Sequence, residues 1–103
     1  MKDIIVDVGV YTAYNIKLTA ANFVGVKQII LTIKNSPTPG SPAIIEKIFT
    51  EPKEDTLLIT PEQSLQLTSG AVYDFNKVSS DDKRYKITEN GRIILRYGVG
   101  DCV

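Results

Sequence analysis

Any chemistry in this chain has to start from carboxylates, amines, hydroxyls and one thiol, because the sequence contains no histidine. That absence excludes Ser-His-Asp and Cys-His nucleophilic sites, histidine-ligated zinc and an imidazole acid or base. The single cysteine, Cys102, is next to last in the sequence, so it can form no intrachain disulfide and no cysteine-based zinc site. A thiol there has no imidazole to activate it and little to hold it rigid, which makes it a poor nucleophile. Three acids gather in Glu51-Pro52-Lys53-Glu54-Asp55, but without the spacing of a calcium loop, and the stretch reads as a solvated charged turn. Asp74 and Asp101 are a conceivable carboxylate pair that nothing in the spacing aligns. Gly98-x-Gly100 lacks the following helix and lysine that a phosphate cradle needs. No catalytic residue, cofactor site or metal site emerges, and the expectation is a protein that is not an enzyme.

The largest local charge cluster is basic. Arg84, Lys86, Arg92 and Arg96 share one face of a ribbon around Ile94. They are either a docking surface for an acidic partner or a solvated face balanced by Asp81, Asp82 and Glu89. Twelve basic and twelve acidic residues give a formal net charge of zero. Balanced charge argues against nucleic acid as a partner, and the basic face carries no interleaved aromatics for stacking.

The elements that must position these groups are strands. Alternation of period two dominates, with β-branched residues on the apolar side. It runs through Ile4, Val6, Val8 and Val10, then through Tyr14, Ile16 and Leu18, then through Ile29, Leu31 and Ile33. Asn35 to Pro42 holds three prolines and a glycine and is a loop, either a plain connection or a semi-rigid finger. Ala43 to Phe49 is a strand with Ile45 and Phe49 on one face and Ile44 and Ile48 on the other, and Thr56 to Ile59 is the next. Thr60-Pro61-Glu62-Gln63 is a capping box with proline at the first helical position, predicting a short helix over 61–67 that Gly70 would stop. Alternation returns from Ala71 to Val78. The last apolar set, Tyr85, Ile87, Ile93, Leu95 and Tyr97, predicts a closing hairpin through Glu89-Asn90-Gly91, with Gly91 at a left-handed bulge position.

This pattern predicts one domain over residues 1–103, an all-β, immunoglobulin-like antiparallel β-sandwich of about seven strands with one short helix. Tyr14, Tyr73, Phe75, Tyr85 and Tyr97 read as inward. Ile5, Ile30, Ile44 and Ile94 read as outward, and either form association surfaces or are covered within the monomer. Two acids within the first seven residues rule out an apolar secretory leader there, and no apolar run reaches membrane-spanning length. A soluble protein of the cytoplasm with no membrane partner is expected.

Leu67-Thr68-Ser69-Gly70-Ala71-Val72-Tyr73 has the Leu-x-x-Gly-x-x-Tyr spacing that resembles the tyrosine corner of fibronectin type III domains. Leu67, Gly70 and Tyr73 are then either that corner or a packed strand tyrosine with its neighbours. The order of strand, Thr-Pro-Glu-Gln helix, Gly70-x-x-Tyr73-Asp74-Phe75 strand and closing Gly98-Val99-Gly100-Asp101 is similar to small phage immunoglobulin-like domains. These are the baseplate-upper-protein N-terminal type and short prophage reading frames of Gram-positive bacteria. The resemblance is clearest from Ile30 to Val99. It implies a phage or prophage structural or accessory protein mediating assembly with other virion proteins or with itself, made in the bacterial host cytoplasm and carried into the virion. The alternative is a small adhesion or carbohydrate-binding β-sandwich module, for which Tyr11 and Phe23 are the free aromatics and Phe49 reads either way.

Overall fold

The computed structural model describes residues 3–38, 40–87 and 90–97. Cys102, Asp101, Gly98, Gly100 and Glu89 lie outside them. Eight strands follow in order: β1 (Ile4–Asp7), β2 (Thr12–Leu18), β3 (Val26–Lys34), β4 (Ala43–Phe49), β5 (Lys53–Ile59), β6 (Val72–Ser79), β7 (Arg84–Lys86) and β8 (Gly91–Arg96). One α-helix, α1 (Pro61–Gln66), joins β5 to β6, and a short 3-10 turn at Ala20–Phe23 joins β2 to β3.

The strands form two very unequal sheets. The larger runs β1-β8-β6-β3-β4, with β7 also on β6, and the smaller contains only β2 and β5. Successive strands β2 and β3 lie in opposite sheets, β5 returns beside β2, and β6 crosses back beside β3. That is the immunoglobulin-like sandwich, with α1 on the crossover before β6. The fold is all-β as expected, but it is not wholly antiparallel. The first strand pairs parallel with the last, Ile4 opposite Ile93 and Asp7 opposite Arg96.

The core between the sheets follows the alternation. Ile4 and Val6, Ile16, Ile29, Leu31 and Ile33, Ile45 and Phe49, Leu57 and Ile59, Tyr73 and Ile93 all point into it. At about 25 cal/mol per Å² these side chains supply the main driving force. One end of the interface is clamped by charge. Lys47 on β4 reaches Asp55 on β5 at 3.1 Å and also lies over the Phe49 ring.

Several expectations need correction. The first alternating segment ends at Asp7, and Val10 is exposed in the turn before β2. Glu54 and Asp55 belong to β5, not to a turn, because Lys17 and Ile16 of β2 pair with them. The helix ends at Gln66, four residues before Gly70. Asn35 does the stopping, donating to the Gln66 carbonyl at 2.8 Å and accepting from the Thr68 amide at 2.9 Å. The helix start is as expected: the Gln63 amide donates to Thr60 Oγ1 and the Thr60 amide to Gln63 Oε1, closing the capping box.

Among the described residues the expected closing hairpin does not form. β7 pairs with β6 at Asn76, Lys77 and Val78, and β8 pairs with the same β6 at Val72 and Tyr73. Both therefore lie along one edge of β6 and neither pairs with the other, so the pairings Ile87 with Ile93 and Tyr85 with Leu95 are absent. Gly91 sits within a strand, outside the left-handed region. It is glycine for another reason: a Cβ there would lie 2.3 Å from the ring of Tyr73, directly opposite.

Candidate functional site

The basic ribbon keeps its shared face although its hairpin is gone. Cross-strand partners point the same way, so Arg84 and Lys86 go with Val78 and Asn76, and Arg92 goes with Val72. Arg92, Ile94 and Arg96 follow on that outer face of β8. The parallel β1 strand changes their electrostatics. Arg92 meets Asp3 at 3.1 Å, and Arg96 forks onto both carboxylate oxygens of Asp7 at 2.6 and 3.0 Å. The hydrogen bonds from Arg96 hold the Asp7 carboxyl below the usual aspartate value, against an opposing effect of burial. Lys86 donates to the Asn90 side chain at 2.6 Å. Two of the four cations are thus neutralised, and what they frame is the apolar pair Ile5 and Ile94, side by side and exposed.

The sequence itself carries the pattern of this ladder. Asp3-Ile4-Ile5-Val6-Asp7 and Arg92-Ile93-Ile94-Leu95-Arg96 repeat one arrangement with opposite charges. Placed side by side in parallel, each acid meets an arginine and each isoleucine meets a branched or aliphatic neighbour.

Of the residues read as outward, Ile30 is buried and Ile44 half-buried, leaving Ile5 and Ile94 exposed with Ile48. Of the aromatics read as inward, Tyr73 is buried and Tyr14 and Phe75 half-buried, but Tyr85 and Tyr97 are exposed. Leu67 and Tyr73 both belong to the core, and Gly70 lies in the turn between α1 and β6. Leu67 is buried, the Ala71 amide donates to the Thr68 carbonyl across the turn, and the Tyr73 ring packs on Gly91 and edge-on to Phe75. Gly70 keeps a φ outside the left-handed region, so no backbone strain reserves that position for glycine. Burial pushes the Tyr73 hydroxyl pKa up. The acids at 51–55 do not gather around a shared point, since Asp55 turns to Lys47 and Lys53 and Glu54 to Asn15. Among the described residues no three cation-ligating side chains cluster, and no helix is long and apolar enough to cross a membrane.

The more prominent surface feature comes from the inequality of the sheets. With only two strands, the smaller sheet leaves part of the inner face of the larger one uncovered. Tyr85 on β7 and Ile87 just beyond it are exposed there at 47% and 43%. Beside them runs a groove of about 300 Å³, floored by Ile29, Phe75 and Ile87 and walled by Tyr14, Ile16 and Leu18 of β2, with Asn15, Lys17 and Asn22 at its rim. Among the described residues β2 pairs only with β5, so its other edge presents unpaired backbone groups along the groove.

Comparison with known protein families, with curated proteins and with solved structures finds no match to this chain.

Proposed function

We propose that the protein is a non-enzymatic phage or prophage accessory protein that works by protein–protein assembly, and that its association surface is the β2 edge with the groove beside it. The carrying observation is the coincidence of a free strand edge with uncovered apolar side chains of the opposite sheet. Free backbone donors and acceptors give an added strand its affinity, and alternate side chains fill the groove. The strand that fits is β2 of a second copy. It already carries the required alternation, Tyr14, Ile16 and Leu18 toward the interior and Asn15 and Lys17 away from it. Pairing β2 with its mate across a two-fold axis would join two small sheets into one of four strands. The particle setting is supported by the resemblance of the Thr60–Ser64 and Gly70–Phe75 segments to small phage immunoglobulin-like domains. On this reading the chain is made in the host cytoplasm before it joins the virion.

Sedimentation equilibrium over a wide concentration range tests the association. The wild type should show a monomer–dimer equilibrium, weakened at least about tenfold by Tyr85→Lys with Ile87→Lys, since two buried charges replace apolar contacts. Both positions are exposed in the monomer, so the variant keeps its fold. A wild type that stays monomeric, or a dimer indifferent to the double variant, overturns the assignment. Mass spectrometry of purified particles tests the setting, and absence of the chain from them overturns that part.

A further inference from the structure

On the opposite side of the larger sheet, away from the β2 groove, the outer face carries a polar depression of about 240 Å³. It opens where β7 gives way to β8 along β6, so the break in that edge leaves room above the sheet. Thr32 and Lys34 of β3, Val72, Asp74 and Asn76 of β6, and Lys86 with Asn90 line it, with Pro37 of the proline-rich loop at the side. Period-two alternation puts all these strand residues on one face, since Leu31 and Ile33 fill the core.

Thr32 is the residue that asks for a ligand. It is only 6% exposed, and its hydroxyl has no hydrogen-bond partner among the described residues. A buried hydroxyl left unpaired is unfavourable, and natural structures rarely keep one without a reason. Around it other hydrogen-bonding capacity is also unspent. Asp74 accepts from Asn76 through one carboxylate oxygen, and its second oxygen and the Lys34 ammonium have no partner among the described residues.

We propose that this outer-face depression is a binding site for a single saccharide ring, held by Thr32, Lys34, Asp74 and Asn76. The lining selects the class by elimination. A free anion meets Asp74, a free cation meets Lys34 and Lys86, and an apolar ligand finds mainly polar walls. The amides of Asn76 and Asn90 can each donate and accept, which suits vicinal hydroxyls that do both. Val72 and Pro37 are apolar members of the lining, against which the C–H face of a pyranose would rest. The volume lies below the roughly 300–1,000 Å³ of sites for larger ligands, which favours one ring over a chain.

The test is amide and side-chain NMR of the whole chain titrated with galactose, mannose, rhamnose and N-acetylglucosamine, with glycine and inorganic phosphate as zwitterionic and anionic competitors. At least one sugar should give saturable shifts at Thr32, Lys34, Asp74 and Asn76. Asp74→Asn and Lys34→Met should each weaken that binding about tenfold. Thr32→Val supplies a signature that a merely structural threonine would not give. It should raise the melting temperature of the free protein, because an unpaired hydroxyl is removed, while weakening the sugar. The proposal is overturned if no sugar produces saturable shifts at these residues, if glycine or phosphate binds there as well as any sugar, or if Thr32→Val leaves sugar binding unchanged.

Discussion

Single side chains in this protein show what a pattern of types conceals. Gly91 looks like a turn glycine and is instead a strand glycine, its missing Cβ replaced by the ring of Tyr73. Substituting Gly91→Ala should therefore cost about 1–3 kcal/mol through overpacking against that ring. Urea unfolding should show a lower midpoint at unchanged slope. Asp7, Asp55 and Asp81 all titrate below the ordinary aspartate value. The main causes are hydrogen bonds from Arg96, from Lys47 and from Ser79 respectively. Their folded-state pKa values lie below those of the unfolded chain, so the unfolded chain takes up protons first as the solution is acidified. The stability they contribute is present above about pH 4 and is lost as the pH falls toward the folded-state values. Melting temperature followed from neutral pH into that range should fall, and Asp7→Asn should flatten part of the slope.

At the level of elements, the local chemistry of α1 and β4 made them readable. A capping box with proline at the first position fixes where a helix starts whatever surrounds it, and Ala43 to Phe49 carries one face rich enough in apolar side chains to be buried. The end of α1 was hidden because it is set by Asn35, distant in sequence and close only in the fold. The fate of residues 84–96 was hidden for a different reason. Alternation is the same whether a segment folds back on itself or continues along a neighbour, and only the register with β6 distinguishes them. The outer-face depression belongs to that same join, so no local motif could announce it. α1 is also tied to the rest by Ser64, fully buried, whose hydroxyl donates to the Pro61 carbonyl and accepts from the Gly9 amide in the β1–β2 turn. Ser64→Ala should cost about 1–3 kcal/mol, read from chemical denaturation, by leaving the Gly9 amide without that partner.

The molecule as a whole is a sandwich closed by Lys47 and Asp55 at one side and open at the other, along β2. Its core residues were legible as alternating apolar positions, but the division into six strands against two was not, because each strand's pattern says which face is buried and not how many strands bury it. If a second copy completes the small sheet, folding and association are linked, and the melting temperature should rise with protein concentration. Scanning calorimetry across a concentration series would show this, and a constant midpoint would speak against the link. The parallel union of β1 with β8 has a mechanical consequence. The two strands run in the same direction, so tension applied at residue 3 and at residue 97 pulls them past one another lengthwise. Every hydrogen bond and both arginine–aspartate pairs along the seam are then loaded together and not peeled in turn. Pulled through these two points, the protein would resist stretching at this seam first.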